Sequence, residues 1–303
     1  MKTIEIIFKA MSCLLTFLIS CLFFISCENS DGIDYKIEIP EKFLEIGKLH
    51  NQGLNHVYID LKEAIIEESN NDNKLRSTIN YRQIVENSVL DFCKQNNSLK
   101  HDYEYISQNI GQINTTKLRS SSDNIANLSI TQQECMNKLS VILESFFKTK
   151  DVERLKSDIN VLNKQASSEL DGADLDVIYC ATSIAFATAQ YWNKNFKKWY
   201  FALKYPEILL QYNEEQLNNI QSKSMLRSGD LFSEAWDSVE NWWADTMDAF
   251  DNWWDEYSDD IIALGEADIN GGVSAWCVTL GNPSFAAGYA IFSSGMEALD
   301  TWY

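Results

Sequence analysis

"DLDVIYCATSIAFATAQYWNKNFKKWYFALK", residues 174–204, decides the fold class. From Val177 to Asn193 it carries no charge. The run still holds Thr, Ser and Gln, and it falls short of the roughly 20 predominantly apolar residues that a membrane-crossing helix needs. It shows no strand alternation, and neither does any other stretch of useful length. A helix apolar around most of its circumference is one that neighbours cover. Residues 174–204 are therefore expected to form the central helix of an all-α multi-helix bundle, ended by Pro206.

The rest of the chain supplies the neighbours. Its 303 residues include only 3 prolines and 12 glycines, most of the latter beyond residue 228, and so few breakers point to long helices. "EKFLEIGKLHNQGLNHVYIDLKEAIIEE" (41–68) places Phe43, Ile46, Leu49, Leu54, Val57, Leu61 and Ile65 at helical spacing, despite Gly47 and Gly53. "STINYRQIVENSVLDFCKQNN" (77–97) opens with Ser/Thr cap candidates, and "TQQECMNKLSVILESFFKTK" (131–150) opens with Thr131 and Glu134 at capping-box spacing. "DVERLKSDINVLNKQASSEL" (151–170) repeats the pattern, and "EILLQYNEEQLNNIQSK" (207–223) follows Pro206. A short helix is expected near 98–110 and a loop over the Ser/Thr/Asn-rich residues 111–128. The pattern gives roughly seven to nine helices.

Beyond residue 226 the composition shifts. Residues 226–303 hold fifteen Asp/Glu against one Arg, and seven of the nine tryptophans. A boundary is expected near 227–230, dividing a helical domain (41–228) from a C-terminal part (229–303). Within the latter, "WDSVENWWADT" (236–246) aligns with "MDAFDNWWDEY" (247–257) at a period of eleven, almost three helical turns. On a helix, Phe232, Trp236, Val239, Trp243, Met247, Phe250, Trp254 and Tyr257 fall within a stripe of roughly 80°, with Trp242 and Trp253 beside it and most acids opposite. Full burial of such side chains contributes about 1.5–3 kcal/mol each. Like-charge pairs such as Asp248–Asp251 cost only about 0.2–0.5 kcal/mol apiece. This acidic, Trp-rich amphipathic helix is stable only if something apolar covers the stripe.

Two covers are considered. Ile269–Met296 is uncharged, with "GNPS" (281–284) as a turn signal between two arms of about 12–15 residues, which suits a Gly/Ala-rich C-terminal helical hairpin. The stripe is expected to pack on that hairpin or on the preceding helices. Alternatively, Trp236, Trp242, Trp243, Trp253 and Trp254 form a partner-binding surface, since large aromatics anchor interfaces. The formal net charge of −19 suits a basic protein partner and argues against nucleic acid, whose phosphates require clustered Lys/Arg. Insertion of the Trp helix into a membrane is disfavoured, because its polar face carries Asp and Glu rather than Lys and Arg.

The N-terminus reads as an address. Lys2 and Lys9 precede eighteen uncharged residues, Ala10–Cys27, a length that by itself could span a bilayer. "FISC" (24–27), followed by polar "ENSDG", has the form of a lipoprotein signal (1–26) cleaved before a lipidated Cys27, with residues 27–40 as a tether. "LISC" ending at Cys21 is the competing site; its Leu18 fits the first position better, but it would leave "LFFIS" on the mature terminus. The partner implied is the membrane itself, through an N-terminal lipid such as palmitate. The address is the cell envelope, the outer membrane by preference.

Chemistry-bearing motifs are sparse. Cys93, Cys135, Cys180 and Cys277 lie far apart among apolar residues and read as buried free thiols rather than metal ligands. His56, Asp60 and Glu63 share a helix face at metal-like spacing but read as ordinary polar neighbours, and His50 reads as a hydrogen-bonded core histidine. The acids of 255–260 lack the ligand pattern of a calcium loop. No phosphate-cradling glycine loop and no paired nucleophile and base are present, so neither a metal site, a cofactor nor a catalytic residue is expected.

Three blocks, "EIGKLHNQGLNHV" (45–57), "ATSIAFATAQYWNKNFKKWY" (181–200) and "EADINGGVSAWCVTLGNPSFAAGYAIFSSG" (266–295), resemble recurring blocks of uncharacterised helical lipoproteins of Bacteroidota. These pair a His-Asn first helix with an Ala/Ser-rich helix ending in Tyr-Trp and a Gly-rich C-terminal segment. The resemblance makes His50, Asn51, Tyr191 and Trp192 the matching positions and implies an envelope location and a helical fold, with no activity. Trp276 and Phe285 interrupt the usual Gly/Ala run, and the tryptophan repeat is not part of the pattern. The expected function is that of a non-catalytic cell-envelope lipoprotein that binds or scaffolds a partner. The alternative is a membrane-active, bacteriocin-like protein acting through the C-terminal hairpin.

Overall fold

Eight α-helices and no strand make up the residues described by the computed structural model, which are 37–70, 80–110, 128–204 and 257–303. They are α1 (Glu41–Asn70), α2 (Tyr81–Gln95), α3 (Tyr103–Ile110), α4 (Ile130–Thr149), α5 (Val152–Glu169), α6 (Gly172–Lys204), α7 (257–278) and α8 (Pro283–Trp302). The all-α bundle expected from the sequence is the architecture observed. Cys27, the expected boundary at 227–230, the 207–223 helix and Trp236, Trp242, Trp243, Trp253 and Trp254 lie outside the described residues.

Helix α6 is the axis. Its buried face includes Ile178, Ala181, Ile184, Ala185, Trp192 and Trp199. Helix α1 runs alongside in the same direction, with Phe43 beside Tyr179 and Gly47 against Ser183 and Ala187. A Cβ added at Gly47 would stand 2.8 Å from the Ser183 carbonyl oxygen, and one at Gly53 would stand 2.2 Å from Ile291 Cδ1. The glycines that lower helix propensity in the sequence are thus the points where α1 is approached most closely, by α6 and α8.

Helix α8 packs on α1, α2 and α6 and touches α3, while α4 and α5 cover another side of α6. Nearly every residue of α8 is buried, so it is a core helix rather than a surface one. It pairs with α7 as the expected hairpin, in which Gly271 and Gly272 meet Ser293, Tyr289, Ala286 and Ala290. The arms run past the uncharged stretch that suggested them, to 257 on one side and Trp302 on the other. Charge does not end a helix whose charged positions face outward, as Asp259 and Asp300 do, or find buried polar partners, as Asp268 does. The hairpin shares one compact unit, Ile37–Tyr303, with helices α1 to α6.

Two caps differ from expectation. The box on α4 is Ser129 with Gln132, each side chain accepting from the other's backbone N–H, two residues before the Thr131/Glu134 pair. Helix α2 is capped by Asn80, which accepts from Gln83 N–H at 3.2 Å. In both cases the cap lies immediately before the first helical residue, where the unpaired N–H groups are. The last turn of α4 ends on Lys150 in the left-handed conformation (φ 58°, ψ 16°), its N–H donating to Phe146 O at 2.7 Å.

Candidate functional site

Polar side chains from three helices meet where α1, α6 and α7 converge. His50 comes from α1 one turn after Gly47; Thr188 and Trp192 come from α6, four residues apart and so on one face; Asp268 comes from α7. All four residues are completely buried. Asp268 Oδ2 accepts from the Thr188 hydroxyl at 2.6 Å and from the Trp192 indole N–H at 3.3 Å, and His50 Nε2 stands 3.3 Å from the same oxygen. On its other side, His50 Nδ1 lies 3.0 Å from Asn51 Oδ1. Among the described residues no donor reaches Asp268 Oδ1.

Aromatic rings floor this centre. Trp192 packs on Tyr191, Trp199 and Trp302, with centroid separations of 5.3, 5.4 and 5.9 Å. The Trp199 indole donates to Tyr191 Oη at 3.0 Å, and burial pushes the Tyr191 hydroxyl above its ordinary range despite that bond. The four positions singled out by the resemblance, His50, Asn51, Tyr191 and Trp192, are therefore brought together, and His50 is the hydrogen-bonded core histidine expected. Sequence reasoning missed Thr188 and Asp268. The available signals were a Thr four residues before a Trp within an uncharged helix, and an Asp one residue before a long uncharged run.

The centre is sealed. A site that turns over a substrate needs a concave opening to its reactive groups, whereas here acid, imidazole, hydroxyl and indole are gathered with no exposed side chain. Their effect is to fix α1, α6 and α7 in one register, since breaking the set leaves buried polar groups without partners.

Other candidates are more open. His56 Nε2 lies 3.7 Å from Asp60 and 3.6 Å from Asp91 of α2, so the partner joining the pair is Asp91 rather than Glu63. Among the described residues no group of three or more His, Cys, Asp and Glu is arranged to hold a metal ion. Cys93, Cys135 and Cys180 are buried and Cys277 is half-buried, all as free thiols; burial pushes Cys93 up to about 12. Between α4 and α5 runs a groove of about 430 Å³ with Ile142 and Leu162 in its wall. Val141 and Val161 stand 63% and 65% exposed along it, and Lys138 donates across it to Gln165 Oε1 at 2.9 Å. No described helix is long and apolar enough to cross a membrane. No protein-family model matches the chain, and no characterised protein or solved structure matches it.

Proposed function

We propose that this chain is a non-catalytic lipoprotein of the cell envelope, anchored through Cys27, whose role is to bind a protein partner. The observation that carries the reading is the contrast between its two polar features. The His50–Asp268 centre is closed to any ligand, whereas the α4–α5 groove keeps two valines in water and a hydrogen-bonded rim beside them. Lone exposed apolar residues are ordinary, but a concave strip with Val141 and Val161 facing each other suits the apolar stripe of a partner helix. The net charge of −19 favours a cationic partner, and tryptophan, five of which fall in 236–254, is a residue type that anchors interfaces.

The test is capture of partners by the membrane-anchored full chain with in-cell cross-linking. A partner lost from Val141→Asp/Val161→Asp or from Trp243→Ala/Trp254→Ala, with helicity and urea midpoint retained, supports the reading. Unchanged capture by both double variants removes it. The mass of the mature N-terminal peptide decides between lipid on Cys27 and on Cys21.

The membrane-active alternative is favoured only by the uncharged run Ile269–Met296. For that run to enter a bilayer, α8 would have to leave the contacts with α1, α2 and α6 that bury nearly all of it. Dye release from vesicles by the full chain, abolished in Gly288→Leu, would favour the alternative.

A further inference from the structure

Residues 37–40 precede α1 and belong to no helix, yet they are seated on the bundle. Burial alternates along them: Ile37 and Ile39 join the hydrophobic core, while Glu38 and Pro40 are exposed. A period of two is that of an extended segment. Two asparagines of α5 hold its middle. Glu38 N–H donates to Asn160 Oδ1 at 2.7 Å, and Asn163 Nδ2 donates to Glu38 O at 3.4 Å. Three residues apart, Asn160 and Asn163 share one face of α5, and together they take both backbone polar groups of one residue. The Asn163 amide is oriented in advance. It is 2% exposed, and its Oδ1 accepts from the hydroxyl of fully buried Thr182 on α6 at 3.1 Å, which leaves Nδ2 to meet the segment.

The helix that follows is fastened separately. Ser183 Oγ of α6 donates to Phe43 O at 2.5 Å, Lys42 pairs with Asp176 of α6 at 2.9 Å, and the Phe43 ring packs on Tyr179 at 5.5 Å. Beyond Pro40, α1 therefore stays on α6 by its own contacts. The segment before Pro40 is held by two buried side chains and two hydrogen bonds, against the cost of ordering four residues of backbone, and these terms are of similar size. Such a balance lets the strap lift while the bundle stays folded.

We propose that the surface around Asn160, Asn163 and Thr182 is a peptide-binding site for an extended segment of the form Ile-x-Ile, supplied by a partner protein and competed for by this chain's own residues 37–39. The segment seated there defines the ligand chemistry. It has β-branched apolar side chains at alternate positions and a free N–H and C=O between them, and its central side chain is left in water. Main-chain hydrogen bonds with pockets for alternate side chains are the means by which extended peptides are recognised. At 100° per residue, Asn160 and Asn163 lie on the opposite face of α5 from Val161. The site is thus separate from the α4–α5 groove, and it does not depend on the lipid anchor.

The probe is a fluorescent peptide with the sequence of residues 35–40, YKIEIP. Its binding is measured by polarisation to the full chain and to the full chain carrying Ile37→Ser and Ile39→Ser, which releases the strap. The released chain should bind at least about tenfold tighter, because a tethered competitor acts at millimolar effective concentration. Glu38→Ala in the peptide should change affinity less than about twofold, whereas N-methylation of its Glu38 amide, or Asn163→Ala in the released chain, should weaken binding at least about tenfold. No saturable binding to the released chain at millimolar peptide, equal binding to both chains, or equal binding of the N-methylated peptide overturns the proposal. Loss of helicity in the released chain also overturns it, since the strap would then be part of the bundle. Native-state hydrogen exchange of the unsubstituted chain tests the same point without a variant. The Glu38 amide should exchange at least about a hundredfold faster than that of Val57 in α1, and equal protection would tie the strap to global unfolding and overturn the proposal.

Discussion

Asp268 brings a carboxylate into a core whose other buried polar side chains, among the described residues, are hydroxyls, thiols, indoles, the amides of Gln132 and Asn163 and the imidazole of His50. Three groups converge on its Oδ2, so removing it strands an imidazole, an indole N–H and a hydroxyl at once. Asp268→Ala should lower stability by at least about 1–3 kcal/mol, the cost of leaving a buried donor without its acceptor. Asp268→Asn, which keeps an acceptor oxygen, should cost less. Urea unfolding of both variants checks the order, and an Asp268→Ala cost under about 1 kcal/mol would reduce the centre to a passive contact. Lys150 gives the opposite kind of test. Its ammonium lies 5.2 Å from the Phe147 ring, and burial lowers its pKa from 10.5 to about 7. A base lowered by folding is held better when neutral, so this group's contribution to stability rises with pH from about 7 to 10.5 and is least favourable below 7. Lys150→Met should therefore exceed the parent in urea midpoint at pH 6 and lose that advantage by pH 10. A constant difference across that range would show that Lys150 does not titrate with folding. Little of this was legible beforehand: His50 could be placed in the core by its helical spacing, but the partner 218 positions away has no local signature.

Among the elements, the helices with a clear 3.6-residue pattern were the readable ones. Phe43, Ile46, Leu54 and Val57 mark the buried face of α1 in sequence and are buried in the fold. What the pattern could not show is which glycine is an interface and which is a weakness, because that depends on a neighbouring helix. The distinction is testable. At Gly47 a new Cβ meets Ser183 backbone oxygen at 2.8 Å, and backbone cannot step aside. Gly47→Ala should destabilise by about 1–2 kcal/mol even after the gain in helix propensity. At Gly265 the nearest atoms are side-chain carbons at 3.5 Å, an ordinary contact. Gly265→Ala should stabilise by about 0.5–1 kcal/mol. Thermal melts of the pair decide it; the same sign for both would mean that the α1–α6 approach is not tight. The caps were misplaced by two or three residues for a related reason. Ser129 and Asn80 are as good N-cap residues as Thr131 or Thr78, and only the onset of helix selects among them.

For the whole molecule, the sequence indicated an all-α bundle with a C-terminal hairpin, and the boundary expected near residue 228 lies outside the described residues. Apolarity on every side of α8 was the guide to its place in the core, since such a helix requires neighbours all around it. Those neighbours are the earliest helices of the chain: Gly53 of α1 meets Ile291, Gly295 meets Val57 and Val85, and Gly288 faces Cys93 and Ile106. Helix α8 is thus wedged against α1, α2 and α3. A nascent polypeptide halted at Leu280 would leave Val57, Val85 and Ile106 uncovered, so the bundle cannot close until α8 has left the ribosome. Pulse proteolysis of nascent chains stalled before Pro283 should find no protected species, and the polypeptide would remain threadable until that helix emerges.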